Sequence, residues 1–340
     1  MSTIRKISCL VILFFVLLIP AAAQTDAAPG HYSFSLAPLT GLIVGHAEEI
    51  LYKYPDSDQY VSELLWDLKP LFYLGLEANF GPRLPFEKSG FTAAASLKFG
   101  LPFKTGIIED RDWQDDYEDY LTNYSRHDAY LQNAILIDIS AGYSWRIRNN
   151  LVLSTYAEFS FMYFSWMAEN GYLQYSAKLS PGHYEKWDES IPKIEIYGPG
   201  IRYTQSWFIF APALAAKWKP ASFFSLAGNI SYSPLIFCSD RDDHLVGLFN
   251  SSSKGTLFYA DFKFGHYING GASFTASIIK NTDIILSISG RYITGLRDES
   301  FFTNIGVDES GYKIKNAYDG GVGYIAIDVG LAARIRIHGR

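Results

Sequence analysis

Two short acidic segments hold the residue types that can activate water. Asp110 and Asp112 stand two apart within Thr105–Asp116 (TGIIEDRDWQDD). In an extended chain such residues share one face, and like charges held close there can share a proton or drive one pKa upward. Farther along, Asp240-Arg241-Asp242-Asp243-His244 repeats the spacing with an imidazole, since Asp242 and His244 are also two apart. An Asp beside a His fixes the imidazole tautomer and steadies its positive form. No Ser or Cys forms an obvious elbow motif, so water is the economical nucleophile, with His244 as its base and the carboxylates positioning it. Taken alone, either pair also reads as a solvated acidic loop. Asp110, Asp112, Asp242, Asp243 and His244 offer metal-ligand chemistry, but no HExxH or three-histidine pattern accompanies them, so neither a metal nor another cofactor is expected. Cys238 lies two residues before Asp240 and has no histidine placed by local spacing to activate it.

Both clusters follow strand-like segments and are expected where a strand runs out into a loop. Between Phe91 and Phe103 every odd residue is apolar, while the even positions carry Thr92, Ser96, Lys98 and Gly100 among others. From Ser62 to Leu76 one row reads Leu64, Trp66, Leu68, Pro70, Phe72, Leu74, Leu76; the other includes Glu63, Asp67, Lys69, Tyr73 and then Glu77. Leu131 to Ile147 alternates in the same manner. A period of two sets one row against an apolar medium and the other against a polar one. The length of these segments, with charges in their middles and aromatics near their ends, favours a transmembrane barrel over a soluble sandwich, whose strands average about 5–6 residues. Ten strands are expected, at 30–52, 59–79, 90–105, 128–148, 151–168, 191–216, 222–239, 253–279, 283–295 and 318–338. Mostly short connections alternate with mostly long ones at 53–58, 106–127, 169–190, 240–252 and 296–317. Asp67, Lys69, Glu77, Asp138, Glu158 and Arg202 are candidates for a charge network in the lumen.

The first residues, MSTIRKISCLVILFFVLLIPAAAQ, read as a secretory signal peptide over 1–23, ahead of a single barrel domain over 24–340. With Arg5 and Lys6 removed from 29 basic residues, 27 remain against 35 acidic, a formal charge of −8. Cys238 is then the sole cysteine and no intramolecular disulfide can form. The charge balance argues against a nucleic-acid partner and for cationic ones. The acidic stretch Glu109–Asp119 would attract a Lys- or Arg-rich peptide. After the leader no apolar run reaches the roughly 20 residues that a spanning helix requires.

At these residues the chain resembles the omptin family of outer-membrane endopeptidases, from about Tyr32 to Leu331. The family's Asp-x-Asp-Trp appears as Asp110-Arg111-Asp112-Trp113, its Ser-Arg-His as Ser125-Arg126-His127, and its Asp-x-Asp-Glu-His as Asp240-Arg241-Asp242-Asp243-His244, with Asp243 in place of Glu. Tyr232-Ser233, Glu49, Val61-Ser62 with Trp66, and Tyr203-x-Gln205 support the match. The resemblance implies an all-β, ten-stranded antiparallel transmembrane barrel that extends above the outer membrane, with its active site facing outward. It implies that Asp242 orients His244, that His244 deprotonates a water, and that Asp110, supported by Asp112, holds that water from the opposite side. Glu49 and Asp240 would receive an Arg or Lys side chain before the scissile bond. Ile108 falls at a position lining the pocket after the cut, and Ser125 and His127 would have supporting roles. A lipopolysaccharide or other outer-leaflet lipid requirement is a further implication, with no residues assigned to it; the oligomeric state is left open. A non-enzymatic surface adhesin, an inactive barrel of the same kind and a porin are the competing readings.

Overall fold

The computed structural model describes residues 32–54, 58–246, 254–279, 281–304 and 314–337; the signal-peptide reading at 1–23 lies outside them. Among the described residues fifteen strands run β1 (Tyr32–Tyr52), β2 (Tyr60–Pro82), β3 (Gly90–Gly100), β4 (Lys104–Asp112), β5 (Asn123–Arg148), β6 (Leu151–Tyr175), β7 (Lys178–Ser180), β8 (His183–Tyr184), β9 (Ile194–Ala221), β10 (Phe224–Ser233), β11 (Ile236–Val246), β12 (Lys254–Lys263), β13 (His266–Ile279), β14 (Thr282–Asn304) and β15 (Ile314–Ile337). Thirteen form one sheet and β7–β8 a small separate hairpin. Every pairing in the large sheet is antiparallel, and β1 pairs with both β2 and β15, so first and last strands meet and the sheet closes.

Three of the expected strands are interrupted. The segment expected at 90–105 divides into β3 and β4 around Pro102, and that at 222–239 into β10 and β11 around Pro234. A proline donates no ladder hydrogen bond. The one expected at 253–279 divides at Phe264, whose φ of 60° leaves the extended region. Bonds cross these breaks: Leu101 N–H donates to Phe72 O (2.8 Å), Leu131 N–H to Phe103 O (2.9 Å) and Phe264 N–H to Ile236 O (2.8 Å).

The strands also run well past the expected ends. β5 begins at Asn123, β6 continues to Tyr175 and β14 to Asn304, so much of the sequence expected as outer loop is ladder. Asp110, Asp112, Asp240, Asp242 and His244 consequently stand within β4 and β11, which corrects their expected placement at the start of loops.

Side-chain direction divides the sheet into two levels. In the lower one Phe72, Leu74, Leu76, Leu214, Ile288 and Ile327 are exposed on the outer surface. Trp145 and Trp218 lie toward one margin of this band, and Tyr232 and Tyr292 toward the other, the pattern of a membrane belt with aromatic girdles. In the upper level the apolar side turns inward. Leu64, Trp66 and Leu68 are buried although they belong to the same sequence row as Phe72 and Leu74; the row changes face beside a bulge in β1–β2 pairing between Ile43 and Gly45. A second bulge between Leu131 and Asn133 likewise leaves Leu131, Ala134 and Leu136 buried together. The inverted row feeds an aromatic stack in which Trp66 lies 5.1 Å from Tyr203, and Trp166 lies 6.0 Å from Trp66 and 5.3 Å from Phe164.

Below that stack the lumen is ionic. Arg291 donates to both Asp138 oxygens (2.7 and 2.8 Å), Ser160 donates to the same carboxylate (2.6 Å), and Tyr73 donates to Asp328 (2.7 Å), which also pairs with Lys98. Of the expected network, Asp138 and Glu77 are engaged, but their cations are Arg291 and Arg334. Lys69 pairs with Asp67 at 2.6 Å while more than half exposed, and Arg202 is exposed on the outer face. Removing one member of a buried pair strands the other charge, at a cost of about 3–5 kcal/mol. Arg291→Met should therefore lower the urea unfolding midpoint in lipid vesicles, and adding Asp138→Asn should restore much of the loss. Equal midpoints for the single variant and the native protein would show that the pair contributes nothing.

Candidate active site

Cross-strand register gathers the acids. Glu49 on β1 is opposite Leu64 on β2, and Leu64 is opposite Asp110 on β4. Asp110 is in turn opposite Ser125 on β5, and Asp112 opposite Asn123. On the facing arc, Asp240 and Asp242 of β11 are opposite Gln205 and Tyr203 of β9, and Ala260 and Phe258 of β12. Alternation turns Asp240, Asp242 and His244 to one side. Together with Glu49, Asp110 and Asp112 they line a cleft of about 330 Å³, whose other walls include Leu64, Tyr175, Phe258 and Phe262. This cleft lies above the apolar belt, beyond the exposed Val44 on β1 and Leu235 before β11.

His244 Nε2 lies 2.7 Å from Asp242 Oδ2. On the other wall Ser125 Oγ donates to Asp110 Oδ2 (3.3 Å) and Ser62 Oγ is 3.5 Å from Asp110 Oδ1. Asp112 accepts from Gln114 Nε2 (3.2 Å) and Asn123 Nδ2 (3.3 Å). Asp240 accepts the Ala260 N–H at 2.9 Å and a bond from the Tyr203 hydroxyl. Two acceptors are left over: Glu49 Oε2 and Asp242 Oδ1 are buried with no hydrogen-bond partner.

Two like charges about 4 Å apart repel by about 4 kcal/mol at the dielectric usual for a protein surface. Crowding and burial in this cleft therefore favour the protonated forms of Glu49, Asp110, Asp112 and Asp240. Burial, then Asp242, Asp240 and Asp110, hold Glu49 well above the usual carboxylate range. Burial and Asp112 do the same to Asp110, burial raises Asp112, and burial pushes Asp240 up to about 8. For His244 burial pulls downward, but Asp242, with Asp110 and Asp112 behind it, wins and lifts the imidazole to about 9. The arrangement is an acidic, proton-rich cleft with an Asp–His pair on one wall and an Asp pair on the other.

The remaining expected residues separate. Ser125 is buried and bonded to Asp110. His127 does not line the cleft: it is buried with Nδ1 2.7 Å from Asn170 O, and burial lowers its pKa. Ile108 is fully buried opposite Trp66 and His127 and also lies outside the cleft lining. Arg241, between Asp240 and Asp242 in sequence, turns to the opposite face and pairs with Asp243 at 3.0 Å. Ser62, Gln114, Tyr175 and the Ala260 amide are site groups that motif reading left without a role. Their signal is register, visible only once β2, β4, β5, β11 and β12 are aligned.

The sequence matches the model of the omptin family over residues 30–334. No curated protein sequence matches the chain. Among solved structures, the outer membrane protease OmpT from Escherichia coli superposes with a TM-score of 0.76 at 16% identity, covering 90% of this chain and 97% of that one. The Pseudomonas putida toluene transporter TodX covers 92% of both chains, but at a TM-score of 0.28 and 10% identity. The translocator domain of autotransporter NalP from Neisseria meningitidis gives 0.31 at 8% identity, over 95% of this chain and 97% of that one.

The raised pKa values fix the direction of a stability profile. Glu49, Asp110, Asp112, Asp240 and His244 all bind protons more tightly folded than unfolded, so stability falls as pH rises through each window. For Asp240 that window runs from its unperturbed value near 4 up to about 8, and for His244 from about 6.5 to about 9. Unfolding midpoints at pH 5, 7 and 9 should decline in that order, and Asp240→Asn should flatten the decline. A midpoint that rises with pH would refute the electrostatic reading of the cleft.

Proposed function

Because the chain belongs to the omptin family, we propose that it is an outer-membrane endopeptidase that activates water between the Asp110–Asp112 and Asp242–His244 pairs. In this reading the closed sheet functions as ten antiparallel staves, with β3–β4, β10–β11 and β12–β13 each acting as one. The cleft opens on the extracellular side, and residues 1–23 are a cleaved leader. The observation that carries the proposal is the His244–Asp242 hydrogen bond in the same cleft as Asp110 and Asp112.

Asp242 accepts the Nε2–H of His244, which leaves Nδ1 as the basic atom. His244 removes a proton from water, the oxygen attacks the peptide carbonyl, and the same proton passes to the departing amine. Asp110, held by Ser125 and Ser62, accepts the water's second hydrogen, and Asp112 keeps Asp110 in its proton-sharing state. Ile108 supports Asp110 from beneath, and does not touch substrate. His127 braces the β5–β6 side through Asn170.

Substrate choice follows from two acids of the cleft, Glu49, whose Oε2 has no partner, and Asp240, which already accepts the Ala260 N–H. Glu49 and Asp240 receive a guanidinium or ammonium before the scissile bond, and a planar two-acid pocket suits Arg. The arriving positive charge favours the ionised forms of Glu49 and Asp240, and His244, lifted to about 9, acts as base in its neutral form. Cationic peptides and proteins are the substrate class. A requirement for lipopolysaccharide or another outer-leaflet lipid is tested by assaying with and without it.

Asp110→Asn and His244→Ala should each lose about 10²-fold or more in turnover, the usual scale for positioned acid–base groups. Both should stay folded, and cleavage by the native protein should persist in EDTA. Full turnover in either variant would sink the mechanism; a folded native protein that binds cationic proteins without cutting them would favour the adhesin reading. Cleavage-site profiles of a random peptide library should lose their basic preference in Glu49→Gln and Asp240→Asn. Leaving a substrate charge poorly paired should cost about 2–5 kcal/mol on Arg substrates. An unchanged profile would reject the pocket while sparing the catalytic pairs.

A further inference from the structure

A second cavity lies at the opposite end of the lumen from the acidic cleft and has the opposite charge. It holds about 630 Å³ and is closed on one side by the β2–β3 turn, which brings Arg83, Phe86 and Glu87 to its wall. The turn is tied down by Arg146, whose N–H donates to Ser89 Oγ (2.9 Å) and whose guanidinium donates to Glu87 O (3.0 Å). Lys217 and Lys219 sit two apart on the inward row of β9, and Arg334 and Arg336 two apart on β15.

Five cations thus line one basin in a chain whose formal charge is −6. Local acids answer only some of them. Arg336 is paired with both oxygens of Asp283 (2.5 and 2.7 Å), and Arg334 reaches Glu77 with one nitrogen at 3.3 Å while its Nε stays buried without an acceptor. Among the described residues no carboxylate makes an ion pair with Lys217 or Lys219; their ammonium groups lie 5.7 and 5.6 Å from the Phe86 ring. Hydroxyls complete the lining, with Ser144, Ser154, Ser225 and Thr275 buried around it. A concave wall focuses the field of like charges placed along it, and the volume falls in the range of small-molecule sites, about 300–1,000 Å³.

We propose that this basin is a binding site for a phosphate-bearing anion, held by Lys217, Lys219 and Arg334 at the end of the lumen remote from the cleft. The phosphate chemistry is favoured over a single carboxylate because the unpaired donors are several and converge from β9 and β15 on opposite sides of one cavity. Two sources carry that chemistry, a soluble phosphorylated molecule and the headgroup of an anionic phospholipid.

The test uses the full folded protein and pyrophosphate as probe. In a neutral, phosphate-free detergent, calorimetry should show saturable pyrophosphate binding that weakens as salt rises. Lys217→Gln/Lys219→Gln should bind at least about tenfold more weakly, as expected for loss of charge-assisted hydrogen bonds. Ser225→Trp should also block binding, by filling the basin without altering its charge. Neither change should affect peptide cleavage at the remote cleft. In nanodiscs, binding that is equal in phosphatidylcholine and phosphatidylglycerol identifies a soluble anion; competition by phosphatidylglycerol identifies the headgroup. Absence of pyrophosphate binding, or equal binding by native and double-variant proteins that both show the heat-modifiable mobility of a folded barrel, would overturn the proposal.

Discussion

A chain that crosses hydrocarbon has no water to satisfy its amides and carbonyls, so each strand must find partners on both sides. The meeting of β1 with β15 supplies the last of those partners. Everything else is built on that closure. Because the sheet cannot open, the lumen has a fixed bore and its contents must match it. Because the ladder continues above the belt without a change of partners, groups far apart in sequence arrive at the same height. Glu49, Leu64, Asp110 and Ser125 form one row across four strands only because the closed sheet has a single register.

Closure also explains the order of chemistry along the lumen. The enclosed charges at Asp138, Arg291, Lys98 and Asp328 have partners and hydroxyl donors, as charges removed from water require. Above them, Trp66, Trp166, Tyr203 and Phe164 form an apolar partition. Gln205 crosses this level, donating to Glu48 O at 3.0 Å and accepting from Trp207 Nε1 at 3.1 Å, so β9 is tied to β1 across the bore. Acids on top of that partition lose water on their lower side, which is why burial leads the causes of their raised pKa values. Without it, the same residues would be an ordinary solvated cluster.

Legibility in the sequence followed the medium. Where lipid lies outside and polar groups inside, alternation is strong, and the lower halves of β2, β3, β5, β9 and β15 were readable from it. Above the belt both faces lose their lipid contact, alternation weakens, and the ladder at 106–112, 123–127 and 169–175 reads as loop in the sequence. The row Leu64–Leu76 looked continuous because an apolar interior above and an apolar exterior below use the same residue types. Only the bulge near Ile43 reveals the exchange of faces. Asp110, Asp112, Asp242 and His244 were legible because their spacing of two carries meaning in a strand. Ser62 and Gln114 were not, since their roles depend on which strands become neighbours; Ile108 was read as pocket lining because a motif position does not state which side a residue turns to.

The partition separates two fields of opposite sign. The cleft concentrates five carboxylates around one imidazole, and the basin at the far end concentrates lysines and arginines, with the paired ionic lumen between them. A protein of net negative charge gains nothing in stability from massing like charges at either end; mixed surfaces would repel less. Each cluster is tolerable because a concave site exchanges self-repulsion for attraction when a counter-charge enters. Glu49 Oε2 and Asp242 Oδ1 above, and Arg334 Nε below, are buried polar atoms that make no hydrogen bond within the fold. Buried polar atoms ordinarily find partners within the fold. On the two proposals above, a cation would meet the acceptors of the cleft and an anion the donors of the basin.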